Sequence, residues 1–205
     1  MTAVGVFALQ GDFSAHERRL AGLGAEVRAV RRPAQLAGLA GLVIPGGESS
    51  TLLYLMNHDP SWWPELETFH GAGGALFGTC AGLILLAREV EPSQRSLGLL
   101  DVAVARNAYG RQVDSFEARG AWSDGRPLEM VFIRAPRILR VGPEVTVLAR
   151  HREEPVLVEQ GRVMAGSFHP ELTADAAVHR RFLELAGSRR SSRAKPGRRS
   201  LGGPH

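Results

Sequence analysis

The stretch Ala75-Leu-Phe-Gly-Thr-Cys-Ala-Gly82 constrains this chain more than any other. A short apolar run, Ala75 to Phe77, reads as a buried strand, and a second, Leu83 to Ala87, reads as a helix. Between them Gly78 and Gly82 stand two residues either side of Cys80, the single cysteine of the 205 residues. That is the spacing of a nucleophile elbow with sulfur in place of the hydroxyl. A sharp strand-to-helix turn needs strained backbone angles and close backbone approach, and flanking side chains would block both. The thiol then stands at the start of a helix, where unpaired N–H groups favour a thiolate. A buried structural cysteine fits the same residues. The local sequence leaves both readings open.

The surrounding pattern favours an α/β fold. Val4 to Leu9 suits a fully buried strand, and Ser14-Ala15-His16-Glu17 has the form of a capping box opening a helix that closes at Gly22 or Gly24. Glu26 to Val30 and Gly41 to Ile44 read as strands, Pro33 to Leu39 as a short helical link, and Thr51 to Met56 and Glu65 to His70 as helices. Trp62 and Trp63 fall in a connector between those two helices. Strand alternating with helix through Arg88 predicts βαβ units and a mainly parallel sheet. Beyond Arg88 the pattern changes. Leu99 to Ala105, Ser115 to Ala121, Met130 to Ala135, Val145 to His151, Pro155 to Glu159 and Val163 to Phe168 read as strands separated by turns, an antiparallel or mixed region. A final helix is expected over Ala174 to Ala186.

Charge matters at one place. Gly187 to His205 carries Arg189, Arg190, Arg193, Lys195, Arg198 and Arg199 and no acid. Without those six of 25 basic residues, 19 remain against 21 acidic, a net of −2 rather than +4. One domain over residues 1–186 is therefore expected, followed by a basic, disordered tail over 187–205. Such tails can bind nucleic acid, but a solubilising extension is the simpler reading, and nucleic acid is not an expected partner. One cysteine rules out an internal disulfide and suits a reducing, cytoplasmic setting. No signal peptide and no membrane-spanning run are expected.

Three further segments could carry chemistry. Pro45-Gly46-Gly47-Glu48-Ser49 follows a strand, and its glycines would let backbone N–H groups approach an anion or oxyanion; an ordinary turn capped by Ser49 or Ser50 fits equally. In Phe168-His169-Pro170-Glu171 the proline favours extended backbone before it. Residues two apart on an extended segment point the same way, so Glu171 could orient His169 as base for a cysteine nucleophile. A loop histidine beside a surface glutamate is the competing account. Arg106 and Arg134 end strands, where a guanidinium can take a substrate carboxylate or simply be solvated. The other histidines have no metal-ligand spacing, so no metal site is expected.

Taken in chain order, Val6-x-x-Leu9-Gln10-Gly11, Pro45-Gly-Gly-Glu-Ser49, Phe77-Gly-Thr-Cys-Ala-Gly82, Arg106-Asn107, Gly110-Arg-Gln-Val-Asp-Ser-Phe-Glu117, Phe132-Ile-Arg-Ala-Pro136 and Ser167-Phe-His-Pro-Glu-Leu-Thr173 resemble a known family. It is the PdxT/SNO family, the glutaminase subunits of pyridoxal 5′-phosphate synthase, within the class I (triad) glutamine amidotransferases. The resemblance runs from about residue 4 to residue 185. It implies a three-layer α/β/α, flavodoxin-like fold with a mixed, mainly parallel central sheet and an antiparallel extension. It implies that Cys80 attacks the side-chain amide of L-glutamine, that His169 is base and then acid, and that Glu171 orients His169. Backbone N–H groups of Gly47 and Ala81 would form the oxyanion hole. Gly47, Glu48, Ser49, Arg106, Ile133 and Arg134 would hold glutamine. Gln10 falls where the family meets its synthase partner, a (β/α)8 barrel that receives the ammonia and makes pyridoxal phosphate. The chain itself would carry no cofactor. Asp12-Phe13-Ser14-Ala15, the Trp62-Trp63 connector and the basic tail depart from the family pattern.

Competing functions follow from the same residues. The glutaminase partner of imidazole glycerol phosphate synthase shares the triad, but Glu48-Ser49 and Gly110 to Glu117 argue against it. A cysteine peptidase or DJ-1-like protein shares only the elbow. A non-catalytic nucleic-acid module would depend on the tail and not on Cys80.

Overall fold

The computed structural model describes residues 2–106 and 115–188. The turn motif at 107–114 and the tail from 189 onward lie outside the described residues. The elements in chain order are β1 (Ala3–Phe7), α1 (Phe13–Gly22), β2 (Glu26–Val30), a 3-10 turn (Pro33–Leu36), β3 (Gly41–Ile44), α2 (Ser49–His58), α3 (Trp62–Gly71), β4 (Ala75–Thr79), α4 (Ala81–Leu86) and β5 (Ala87–Glu91). Then come β6 (Leu100–Ala105), β7 (Phe116–Trp122), β8 (Pro127–Phe132), β9 (Arg137–Val141), β10 (Thr146–His151), β11 (Glu154–Gln160), β12 (Val163–Gly166), a second 3-10 turn (Pro170–Leu172) and α5 (Ala177–Gly187).

Strands β1, β3 and β4 are apolar at nearly every position because both faces of the sheet are covered. Alternation sorts their side chains. Phe7, Leu42, Ile44 and Leu76 join one core cluster with residues of α2, α3 and α4. Val4, Val6, Val43, Ala75 and Phe77 join the other with residues of α1 and α5. The result is the three-layer α/β/α arrangement expected.

The main sheet runs β2-β1-β3-β4-β12-β11-β10-β7-β8. Its first five strands are parallel, and β11, β10, β7 and β8 continue it antiparallel. The switch falls at β12. This strand lies parallel to β4, which leads to Cys80, and its own end leads to His169. Pairing of Gly166 with Thr79 brings the two chemical segments side by side at the same sheet edge. A second sheet, β5-β6-β9, was not expected; β5 and β9 were not read as strands at all. They are short, and their charged residues alternate only loosely. Their partner β6 buries Leu100, Val102 and Val104 in the first cluster, and that tertiary contact stabilises all three.

Two local expectations are corrected. Asp12, not Ser14, caps α1: its carboxylate accepts from Ala15 N at 3.2 Å, and the Ser14 hydroxyl donates to the same oxygen. The tryptophans are not in a connector but open α3, and both are buried. Trp62 is 1% exposed and meets Phe7 edge-on at 4.5 Å. Its burial draws the helix start three residues ahead of Glu65. Trp62→Ala should therefore lower the unfolding free energy by about 4 kcal/mol, measured by urea denaturation, with little change in m-value.

Candidate active site

Cys80 adopts φ 49°, ψ −101°, between β4 and α4. Non-glycine residues avoid this region, and strain of this kind must be held by its surroundings. The holding contacts are backbone. A Cβ on Gly78 would lie 2.4 Å from Gly82 C, and one on Gly82 would lie 2.1 Å from Ile44 O. Cys80 N donates to Gly166 O at 2.9 Å, tying the turn to β12. The glycine spacing thus reflects real steric need at both flanks.

His169 and Glu171 come together, though not as expected. Pro170–Leu172 forms a 3-10 turn rather than extended backbone, and His169 sits at its start with φ −107°, ψ 84°. Glu171 folds back so that His169 Nδ1 lies 2.7 Å from Glu171 Oε1. His169 N donates to Val131 O of β8 at 2.8 Å, which anchors the turn. Glu171 is 4% exposed. Burial raises its pKa, but the proximity of His16 and the hydrogen bond and charge of His169 outweigh that and hold the carboxyl below its ordinary value. Burial would likewise strip the proton from His169. Hydrogen bonds and charge from Cys80 and Glu171 win, and its pKa is pushed up to about 10. His169 Nε2 is buried without a conventional hydrogen bond, so this nitrogen is the one left for the sulfur.

A cleft of about 180 Å³ joins these groups. Cys80, His169, Gly47 and Glu48 line it, together with Ser49, Ile133 and Arg134 from the expected substrate set. Ile84 also lines it and was not anticipated; its position one turn into α4 gave no chemical signal. Glu48, not a serine, caps α2, accepting from Ser50 N at 3.3 Å and Ser50 Oγ at 2.9 Å. Those bonds, with the nearby charges of Arg106 and Arg134, hold its carboxyl below the ordinary range. Arg134 has φ 44°, so two of the four non-glycine residues with positive φ among the described residues face this one cleft. Arg106 is half-buried at the end of β6 and does not line the cleft; its charge reaches Glu48. Gln10 leans on the Gly46–Gly47 loop, with its Nε2 3.5 Å from Gly46 O. Its side chain fills the space a Cβ on Gly47 would need. Ala81 follows Cys80 and is buried. Larger grooves, of about 400 and 560 Å³, run beside β7 and β8 and contain none of these groups. Four residues behind the cleft escaped the sequence reading: Thr79, Arg19, and His16 and His179, both fully buried. The only signal was that each histidine falls on the apolar face of its helix, which is also where a core histidine falls.

The profile of the SNO glutamine amidotransferase family matches residues 6–187. The pyridoxal 5′-phosphate synthase subunit PdxT of Deinococcus radiodurans is 57% identical over 194 residues, covering 91% of this chain and 98% of the relative. That of Thermus thermophilus is 52% identical, covering 90% and 97%. A crystal structure described as a glutamine amidotransferase superposes with a TM-score of 0.84 at 49% identity, covering 90% of this chain and 99% of that one. The PurLQS structure from Thermotoga maritima, at 16% identity and a TM-score of 0.71, shares the fold. No helix among the described residues is long and apolar enough to cross a membrane.

The raised pKa of His169 makes the stability of the fold depend on pH. The folded state holds the proton more tightly than the unfolded chain. The stability gained is therefore fully present below pH 6.5 and is lost as the pH climbs toward about 10. An NMR titration of the His169 ring should show its transition far above that of a free imidazole. In Cys80→Ala the transition should fall, because the strongest influence raising it is gone.

Proposed function

This chain belongs to the SNO glutamine amidotransferase family, and from that membership we propose that it is the glutaminase subunit of a pyridoxal 5′-phosphate synthase, hydrolysing L-glutamine with Cys80, His169 and Glu171. The observation carrying this reading is that a strained cysteine and a carboxylate-held imidazole share one small cleft.

An imidazolium at His169 favours the sulfur as thiolate. The thiolate attacks the side-chain amide carbon of glutamine, and the carbonyl oxygen takes up the negative charge. N–H groups of Gly47 and Ala81 stabilise that oxyanion. As the C–N bond breaks, His169 gives its proton to the departing nitrogen, and ammonia leaves a glutamyl thioester. His169, now neutral, takes a proton from water, whose oxygen attacks the thioester carbon. Glutamate departs, and the thiolate and imidazolium are restored. Glu171 keeps Nδ1 protonated and the ring aligned throughout. Anionic Glu48 and cationic Arg134 in the cleft lining, with the charge of Arg106 reaching Glu48 from outside it, match the charge separation of an amino acid's ammonium and carboxylate. Gly47, Ser49 and Ile133 complete the glutamine subsite. The thiol chemistry needs no cofactor and suits the reducing cytoplasm.

Ammonia passes to the synthase subunit, a (β/α)8 barrel of the PdxS type. Gln10, braced against the Gly46–Gly47 loop, couples that partner to the oxyanion donors.

Glutamine hydrolysis measured with and without the barrel subunit tests this. Cys80→Ala should abolish ammonia release, and His169→Asn should cost a comparable factor, since triad members act as a unit. Unchanged hydrolysis by Cys80→Ala would end the assignment. Activity of the isolated chain should be weak and rise when the barrel is added.

A further inference from the structure

Behind the cleft lies a row of buried polar groups that the mechanism above leaves unused. His16, on α1, and His179, on α5, are both 0% exposed. Phe77 stands edge-on to both rings, at 6.2 and 6.1 Å. His16 Nδ1 lies 3.0 Å from His179 Nε2. On its other side, His16 Nε2 lies 3.3 Å from Glu171 Oε2 and 3.3 Å from Thr79 Oγ1. Thr79 Oγ1 in turn accepts from Gly46 N at 2.9 Å.

The protons in this row can be assigned from the neighbours. Burial lowers the pKa of His179 to about 3, so it is neutral. Burial is also the main influence lowering that of His16, against the opposing charge of Glu171. Each ring therefore carries one N–H. If His16 carried it on Nδ1, the bare lone pair of Nε2 would face an anionic carboxylate oxygen. His179 would then hold a buried N–H on Nδ1 with no acceptor. The opposite assignment removes both penalties. His179 Nε2–H donates to His16 Nδ1, and His16 Nε2–H lies between Thr79 Oγ1 and Glu171 Oε2, each 3.3 Å from the nitrogen.

Glu171 Oε1 is taken by His169, while Oε2 is buried and makes no well-formed hydrogen bond among the described residues; His16 Nε2, 3.3 Å away, faces it. Among the described residues Arg19 donates to backbone oxygens, those of Glu171 and Thr173. We infer that His16, seated by His179, is a positioning residue: its Nε2–H holds the second oxygen of Glu171, so that the first stays ionised and aimed at His169. The inference rests on the glutaminase reading. The charged and titratable groups facing this row are Glu171 and His169 from the turn after β12, Asp12 at the cap of α1, Arg19 on α1 and His179 on α5.

Two polar substitutions separate the two ring nitrogens. The amide nitrogen of Gln reaches about as far as Nε2, while that of Asn sits near Nδ1. In the full chain with its barrel partner, His16→Gln should keep kcat for glutamine within about threefold, and His16→Asn should lose about tenfold or more at little change in KM. Alkylation by iodoacetamide supplies a readout independent of glutamine, because Cys80 is the one cysteine. Its rate profile should shift to higher pH in His16→Asn and stay near wild type in His16→Gln. Equal behaviour of the two variants, or a better Asn variant, in both measurements would overturn the inference while leaving the glutaminase assignment intact. A wild-type chain that fails to release ammonia would instead sink the assignment, and the alkylation profiles would still decide the role of His16.

Discussion

One carboxylate, almost wholly removed from water, governs how this site is put together. Ionised Glu171 is costly to bury unless hydrogen-bonded and paired. Its neighbours are arranged to meet that cost. An imidazole takes one oxygen, a second imidazole stands beside the other, and Arg19 donates to the main-chain oxygens around it. Together with Cys80, the same carboxylate keeps His169 protonated against its own burial. A cation is thereby held next to a sulfur that the backbone has already turned into the cleft.

The strain at Cys80 and the burial of Glu171 belong to different segments, and the parallel pairing of β4 with β12 unites them. Both strands end at the same edge of the sheet, one in the elbow and one in the turn holding His169. Ligands and reactive groups in such sheets gather outside the carboxyl ends of the parallel strands. Here the ends of β3, β4 and β12 lead into the site, and β12 is parallel to β4 on one side and antiparallel to β11 on the other. The antiparallel wing has a role of its own: β8 binds the His169 backbone, and the residues after it supply Ile133 and Arg134.

The parts of the fold legible from sequence were those set by local sterics and short periods. The both-faces-buried strands, the glycine spacing around Cys80 and the helix following it all depend on residues near one another in the chain. Helix starts were less legible. Asp12 outcompetes Ser14 as a cap, and Glu48 outcompetes the two serines after it, because all of these side chains can cap and the surrounding chain path selects between them. Trp62 and Trp63 looked like connector residues because a Ser-Trp-Trp-Pro run carries no helical period. Burial against Phe7 decides the matter.

By itself, the sequence determined that a lone cysteine would stand between two glycines at the junction of an apolar strand and a helix, where a sharp turn has use for residues without side chains. It also determined that an imidazole and a carboxylate two residues apart would be available to it. Only the tertiary structure decided which carboxylate oxygen meets which imidazole, that a 3-10 turn rather than a strand brings them together, and that His16 and His179 stand behind them. Those contacts join positions up to 163 residues apart. Their energies come from burial that exists only once the two helices close over the sheet, so no local pattern of residues could announce them.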